Sequence, residues 1–303
     1  MNTLLEIRDR IGNFVSEYES WCIRGLNFLM LLFAMLFLNA NLGYASVIDK
    51  WWVAIAVAVV GAFFPTGGGV FILVAITEIH LFALSMEIAI AGLIFFMAAY
   101  LLCAYFKSKD TYNIAVVPTF YCMHMPFMGS MLSGLLRGAN DLAAVIGGSF
   151  VSYFLYVVKN NAAAVLDETS KVTAISLVTN QIFKSKMFYF YMAAMILMFV
   201  LVYFIRQADI KYPWLFGIAA GVIVEFLIML IGLIVCGEAS KILWLVIGNV
   251  IVVAVGFILN LFLFNLDYSR IEKLQFQDDD YYYYVTAVPK IRIASADKKI
   301  KRI

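Results

Sequence analysis

The chain is 303 residues long, with 64% hydrophobic residues, 14% charged residues and a net charge of +2. A soluble domain carries roughly 25% charge, and its interior grows too slowly with chain length to hide so much apolar surface. These figures exclude a water-soluble fold and, through the small net charge, a nucleic-acid partner. They leave an all-α membrane protein, a polytopic helical bundle whose solvent is the lipid bilayer.

Residues 1–21 mix charges of both signs with Leu4, Leu5, Ile7, Ile11, Phe14 and Val15 at helical spacing. That pattern predicts an amphipathic helix lying on the membrane surface. A membrane domain is expected over 22–266. A hydrocarbon core of about 30 Å takes about 20 helical residues. On that measure about eight spans are predicted, near 22–40, 51–64, 69–84, 86–106, 140–158, 187–205, 213–236 and 241–266. The two short runs 51–64 and 69–84 flank Pro65 and the glycines 67–69; they are read as two short spans in preference to a re-entrant hairpin. Ser85 is placed as the N-cap of 86–106, with Glu87 in the first turn. The stretch 113–136 holds Pro118, Pro126, Gly129 and Gly134, so a broken helix or a re-entrant element is expected there.

An even number of crossings puts both termini on one side, and positive-inside bias makes that side the cytoplasm. In this arrangement Lys50, Lys159, Lys171, Lys184, Lys186 and Lys241 fall outside, and the other 16 of the 22 basic residues fall inside. The tail, 267–303, turns polar. Asp278, Asp279 and Asp280 precede Tyr281, Tyr282, Tyr283 and Tyr284, and strand-prone runs flank Pro289, which predicts a β-hairpin over 281–294. The four tyrosines are candidates for binding a cytoplasmic partner by strand addition. Lys298 to Arg302 are placed to touch anionic lipid.

Ionisable groups at membrane depth are costly and mark function. Glu225, near the centre of 213–236, is the strongest candidate for a transport path. Glu78, His80 and His124 are further candidates, as a small polar cavity or proton relay; the alternative is that Glu78 and His80 approach the outer end of their helix and meet water. Asn249 and Asn260 are expected to hydrogen-bond between helices. Cys22, Cys103, Cys122 and Cys236 are scattered without metal-like spacing, so neither disulfides nor a metal site is expected. No triad, zinc or phosphate-loop pattern occurs, and no cofactor or enzymatic site is expected.

Several short segments carry a resemblance. Asn39-Ala40-Asn41-Leu42-Gly43-Tyr44, Asp267-Tyr268-Ser269-Arg270, the stretch from Asp278 to Val285, and Ala287-Val288-Pro289-Lys290-Ile291 resemble a family of multi-pass membrane proteins of clostridial Firmicutes. The likeness runs over the whole chain, and the tyrosine-rich tail is its most specific part. Members of that family carry the automatic name ABC transporter permease. This implies a bacterial plasma membrane location and solute transport with a separate ATPase subunit. The EAA-type loop by which many importer permeases grip their ATPase is not recognisable here. The expectation is a permease-like subunit of unknown substrate, with a membrane scaffold recruiting a cytoplasmic partner through its tail as the alternative.

Overall fold

Charge-free runs of Leu, Ile, Val, Phe and Met become helices in lipid, because each backbone polar group then bonds within its own segment. The computed structural model describes residues 10–12, 14–64, 66–108, 111–166, 173–210, 212–263, 272–277 and 282–287. The helices in chain order are α1 (Glu19–Asn41), α2 (Trp51–Ala62), α3 (Thr66–Leu84), α4 (Met86–Tyr105), α5 (Asn113–Cys122) and α6 (Phe127–Leu136). They continue with α7 (Leu142–Asn160), α8 (Ala174–Lys184), α9 (Lys186–Gln207), α10 (Pro213–Val235) and α11 (Ile242–Leu263). Seven of them, α1, α3, α4, α7, α9, α10 and α11, are long and apolar enough to cross a membrane. Large apolar side chains such as Phe71, Phe82, Leu101, Phe216, Ile223 and Val250 face outward, a state that lipid solvates and water does not.

The expected eighth span, 51–64, differs. Its helix α2 has 12 residues, about 18 Å, and does not reach across a core of about 30 Å by itself. Leu31, near the middle of α1, packs on both Gly61 at the end of α2 and Gly69 at the start of α3. The two helices therefore double back as a hairpin whose turn lies level with mid-α1. The stretch 113–136 folds in a comparable way. Asn113 Nδ2 donates to Ser133 Oγ at 2.6 Å and Gly129 packs on Val117, so α5 and α6 run antiparallel with residues 123–126 at their tip.

These contacts sort the helix ends onto two faces. One face gathers Ser108, whose Oγ donates to Asp141 Oδ1 at 2.6 Å, and Arg206, which donates to the carbonyls of Leu135 and, at 2.8 Å, Arg137. The opposite face gathers Lys159, whose ammonium donates to Asn41 Oδ1 at 2.5 Å, and Tyr153, bonded to Ser185 at 2.7 Å. A close backbone approach lies between them, where Gly148 of α7 sits directly on the Asn113 carbonyl; a side chain there would hold α5 away.

Residues 10–12 and 14–17 are helical, with Ile11, Phe14 and Val15 exposed, and residues 1–9 lie outside the described residues. Ser85 stands at the N-cap of α4 with an extended backbone, yet its hydroxyl makes no capping bond; its carbonyl accepts from Ala89 N at 3.0 Å. The loop 159–186 contains the unforeseen α8, which buries Val178 and Ile182 against the bundle. The tail hairpin forms earlier than 281–294. Strand β1 (Glu272–Gln277) pairs antiparallel with β2 (Tyr282–Ala287), Glu272 opposite Ala287 and Gln277 opposite Tyr282. Asp278, Asp279 and Asp280, between the two strands, lie outside the described residues, as does Pro289. So do Tyr281 and 288–303, including Lys298 to Arg302.

Candidate functional site

The tip of the α5–α6 hairpin breaks the helix inside the bundle. Pro118 lies within α5 and Pro126 opens α6, and between them His124 adopts a left-handed backbone with φ 59°. That conformation costs a residue with a Cβ roughly 1–2 kcal/mol. It is held by stacking of the His124 ring on Trp244 of α11, 4.7 Å apart at 23°. Gly248, one turn along α11, packs on the His124 carbonyl. The absence of a side chain there lets the tip approach.

Below the tip the helices part around a cavity of about 390 Å³, within the size range of small-molecule sites. Tyr121 of α5, Tyr153 and Tyr156 of α7, and Tyr191 of α9 form one wall, with ring centroids 5.5 Å apart for Tyr121–Tyr191 and 5.6 Å for Tyr121–Tyr156. Cys122, Ser152, Phe127, Met229, Leu233 and Trp244 contribute to the rest. The rim is polar. Lys241 donates to Glu238 Oε2 at 2.8 Å and to Tyr156 Oη at 2.6 Å, and Lys159 and Asn160 lie beside it. Two ammonium groups against one carboxylate give the mouth a positive balance. Aromatic walls with a few convergent polar groups suit a small solute.

Glu225 lies one helical turn beyond Met229 on the same face of α10, so it sits just past the cavity lining. It is 0% exposed. Its carboxyl faces Asn249 of α11, yet neither oxygen has a hydrogen-bond partner among the described residues. Asn249 itself donates to Leu245 O of its own helix at 3.2 Å, and its Oδ1 is likewise without a partner. The expected interhelical hydrogen bond is therefore not made in ordinary geometry.

The remaining candidates separate. His80 is fully buried, its Nδ1 accepting from Ala45 N at 3.2 Å and its Nε2 3.1 Å from Asn39 Oδ1. The backbone donor at Nδ1 leaves the proton on Nε2, which donates to Asn39. His80 thus fastens the α1–α2 loop to α3 and does not meet water. Glu78 points toward Gly92 of α4, with Oε1 unpartnered among the described residues. His124 lines the cavity, whose lining includes neither Glu78 nor His80; the three do not form one relay. Among the described residues no three His, Cys, Asp or Glu side chains come together as a metal site.

Sequence reasoning passed over the tyrosine wall and the Lys241–Glu238 rim. The signal was present on α7, where Ser149, Ser152, Tyr153 and Tyr156 recur at i, i+3, i+4 and i+7 and mark one polar stripe on an apolar helix. The fold and cavity together define an integral, multi-pass helical membrane protein. No protein-family model, curated protein or solved structure matches the chain.

Proposed function

We propose that the protein is a permease-like membrane subunit that moves a small solute through the cavity beneath the α5–α6 tip. The broken-helix hairpin carries this reading: its tip opens into a cavity of about 390 Å³ between long apolar helices. Irregular backbone at membrane depth is tolerated where it lines a cavity, and discontinuous helices commonly build transporter substrate sites. Positive-inside bias supports a placement in which the Lys159–Lys241 rim faces outward and both termini lie in the cytoplasm of a bacterial plasma membrane. A separate ATPase subunit follows from the family resemblance alone. It would dock on the face carrying Arg137 and Arg206.

The test is flux in proteoliposomes, screened against panels of small solutes. His124→Ala and Trp244→Ala should each lower flux at least tenfold at unchanged protein level, since a group lost from a site that positions a solute costs roughly 1.4 kcal/mol or more. Full flux in both variants, or no flux with any solute class, would count against the reading.

One observation favours a scaffold instead. The hairpin β1–β2 leaves Tyr283, Tyr284 and Val285 exposed, and a two-stranded hairpin gains stability when another sheet adds to it. Removing 271–303 separates the two readings: a scaffold loses its co-purifying partner and its activity, whereas a permease keeps flux.

A further inference from the structure

Of the five buried side-chain oxygen atoms without a hydrogen-bond partner among the described residues, three belong to one pair of facing side chains: both carboxyl oxygens of Glu225 and Oδ1 of Asn249. All three are acceptors, and the Asn249 amide nitrogen is turned to Leu245 O. Acceptors that face one another in a low-dielectric interior are satisfied by positive charge, and one carboxylate balances one unit of it. We propose that Glu225 and Asn249 form a binding site for a single monovalent cation, a proton or a sodium ion, coupled to the cavity beside it. Carboxyl and carboxamide oxygens are hard donors that suit either.

The coupling has a short path. Met229, one turn from Glu225 on α10, and Gly248, the chain neighbour of Asn249 on α11, both line the cavity. A cation held between these helices therefore sets the spacing of two cavity walls. The coupling, but not the cation site, rests on the permease reading, and it supplies an energy source that needs no ATPase. Charged and titratable groups of the packed elements lie toward the ends: Lys186, Tyr189, Tyr191, Tyr203 and Arg206 on α9, Tyr212 and Cys236 flanking α10, His124 before α6 and Arg137 after it, and Glu238 and Lys241 ahead of α11.

The full chain in lipid nanodiscs is titrated with sodium against choline at constant ionic strength, and separately with acid, while thermal unfolding is followed. Wild type should gain about 2–5 °C in Tm at a cation concentration near ten times its Kd. Glu225→Gln, a neutral group of the same shape, should lose that gain, and Asn249→Ala should weaken binding roughly tenfold. A sodium response identifies the metal ion. A response to acid alone identifies the proton, and the infrared spectrum of wild type then shows a neutral carboxylic-acid band that Glu225→Gln lacks. Should Glu225→Gln fail to fold, radioactive sodium binding in wild type and the carboxylic-acid band that persists in Glu78→Gln decide the matter. Responses retained in Glu225→Gln, or a wild type silent in both arms and in both of those measurements, overturn the proposal. None of these readouts involves flux. A cation can therefore be bound where no solute moves, and flux without a cation response removes the coupling while leaving the permease reading standing.

Discussion

His80 shows how a single ionisable residue at depth can be structural. Both ring nitrogens are engaged, by Ala45 N–H and Asn39 Oδ1, while Asn39 Nδ2 donates to Ile48 O at 2.9 Å. Removing the ring leaves a backbone donor and an amide oxygen without partners. Each costs about 1–3 kcal/mol, so His80→Ala should lower stability by about 2–4 kcal/mol in reversible unfolding while flux per folded molecule stays near wild type. Gly148 is decided by backbone proximity. Its contact with the Asn113 carbonyl leaves no room for a methyl group, and Gly148→Ala should cost about 1–3 kcal/mol through forced separation of α5 and α7. An equally stable Gly148→Ala protein would contradict that packing. Glu225 was legible as a buried acid from its place in an apolar run. Its partnership with Asn249, 24 positions away, was not, because only packing chooses which helix faces which.

The elements divide by how much of their form is local. Long apolar runs with few charges declared α1, α4, α7, α9, α10 and α11 to within a few residues, since lipid leaves the backbone no alternative to helix. The prolines at 118 and 126 and the glycines at 129 and 134 announced a break in 113–136. They did not say that the two pieces fold back on each other. That geometry depends on the Asn113–Ser133 bond and on Gly129 meeting Val117. Ser133→Ala should therefore loosen the hairpin base by about 0.5–1.5 kcal/mol, read as faster thiol labelling of Cys122 at the tip; an unchanged rate would detach the bond from the hairpin's rigidity. The surface helix α8 was hidden in a loop dominated by its lysines, although Ile175, Val178 and Ile182 carry the helical period. In the tail, strand propensity pointed to the right residues for β2 and the wrong partner. The register pairs β2 with the preceding strand β1, and not with a strand beyond Pro289.

For the whole molecule, the helix directions place the Lys159–Lys241 rim on one face and the Arg137–Arg206 group on the other. Cys122 lines the cavity at the first face, whereas Cys103 is buried in α4. In sealed membranes, a membrane-impermeant maleimide applied from outside should label Cys122 in a variant that keeps it and replaces Cys22 and Cys236. The same reagent applied only from within should label it at least tenfold more slowly, if the basic residues orient the chain as positive-inside bias requires. Labelling from the inner side alone would invert the assignment.

Membership of the helical membrane class, the depth of its acids and the site of its main helix break were all readable from the chain. Each depends on transfer of local segments from water to lipid, a property additive over neighbours in sequence. The cavity, the tyrosine wall, the short reach of α2 and the meeting of Glu225 with Asn249 came only with the fold. Between apolar helices in lipid the choice of neighbour depends on close contact of small and polar side chains far apart in the chain, and composition carries no record of those pairings.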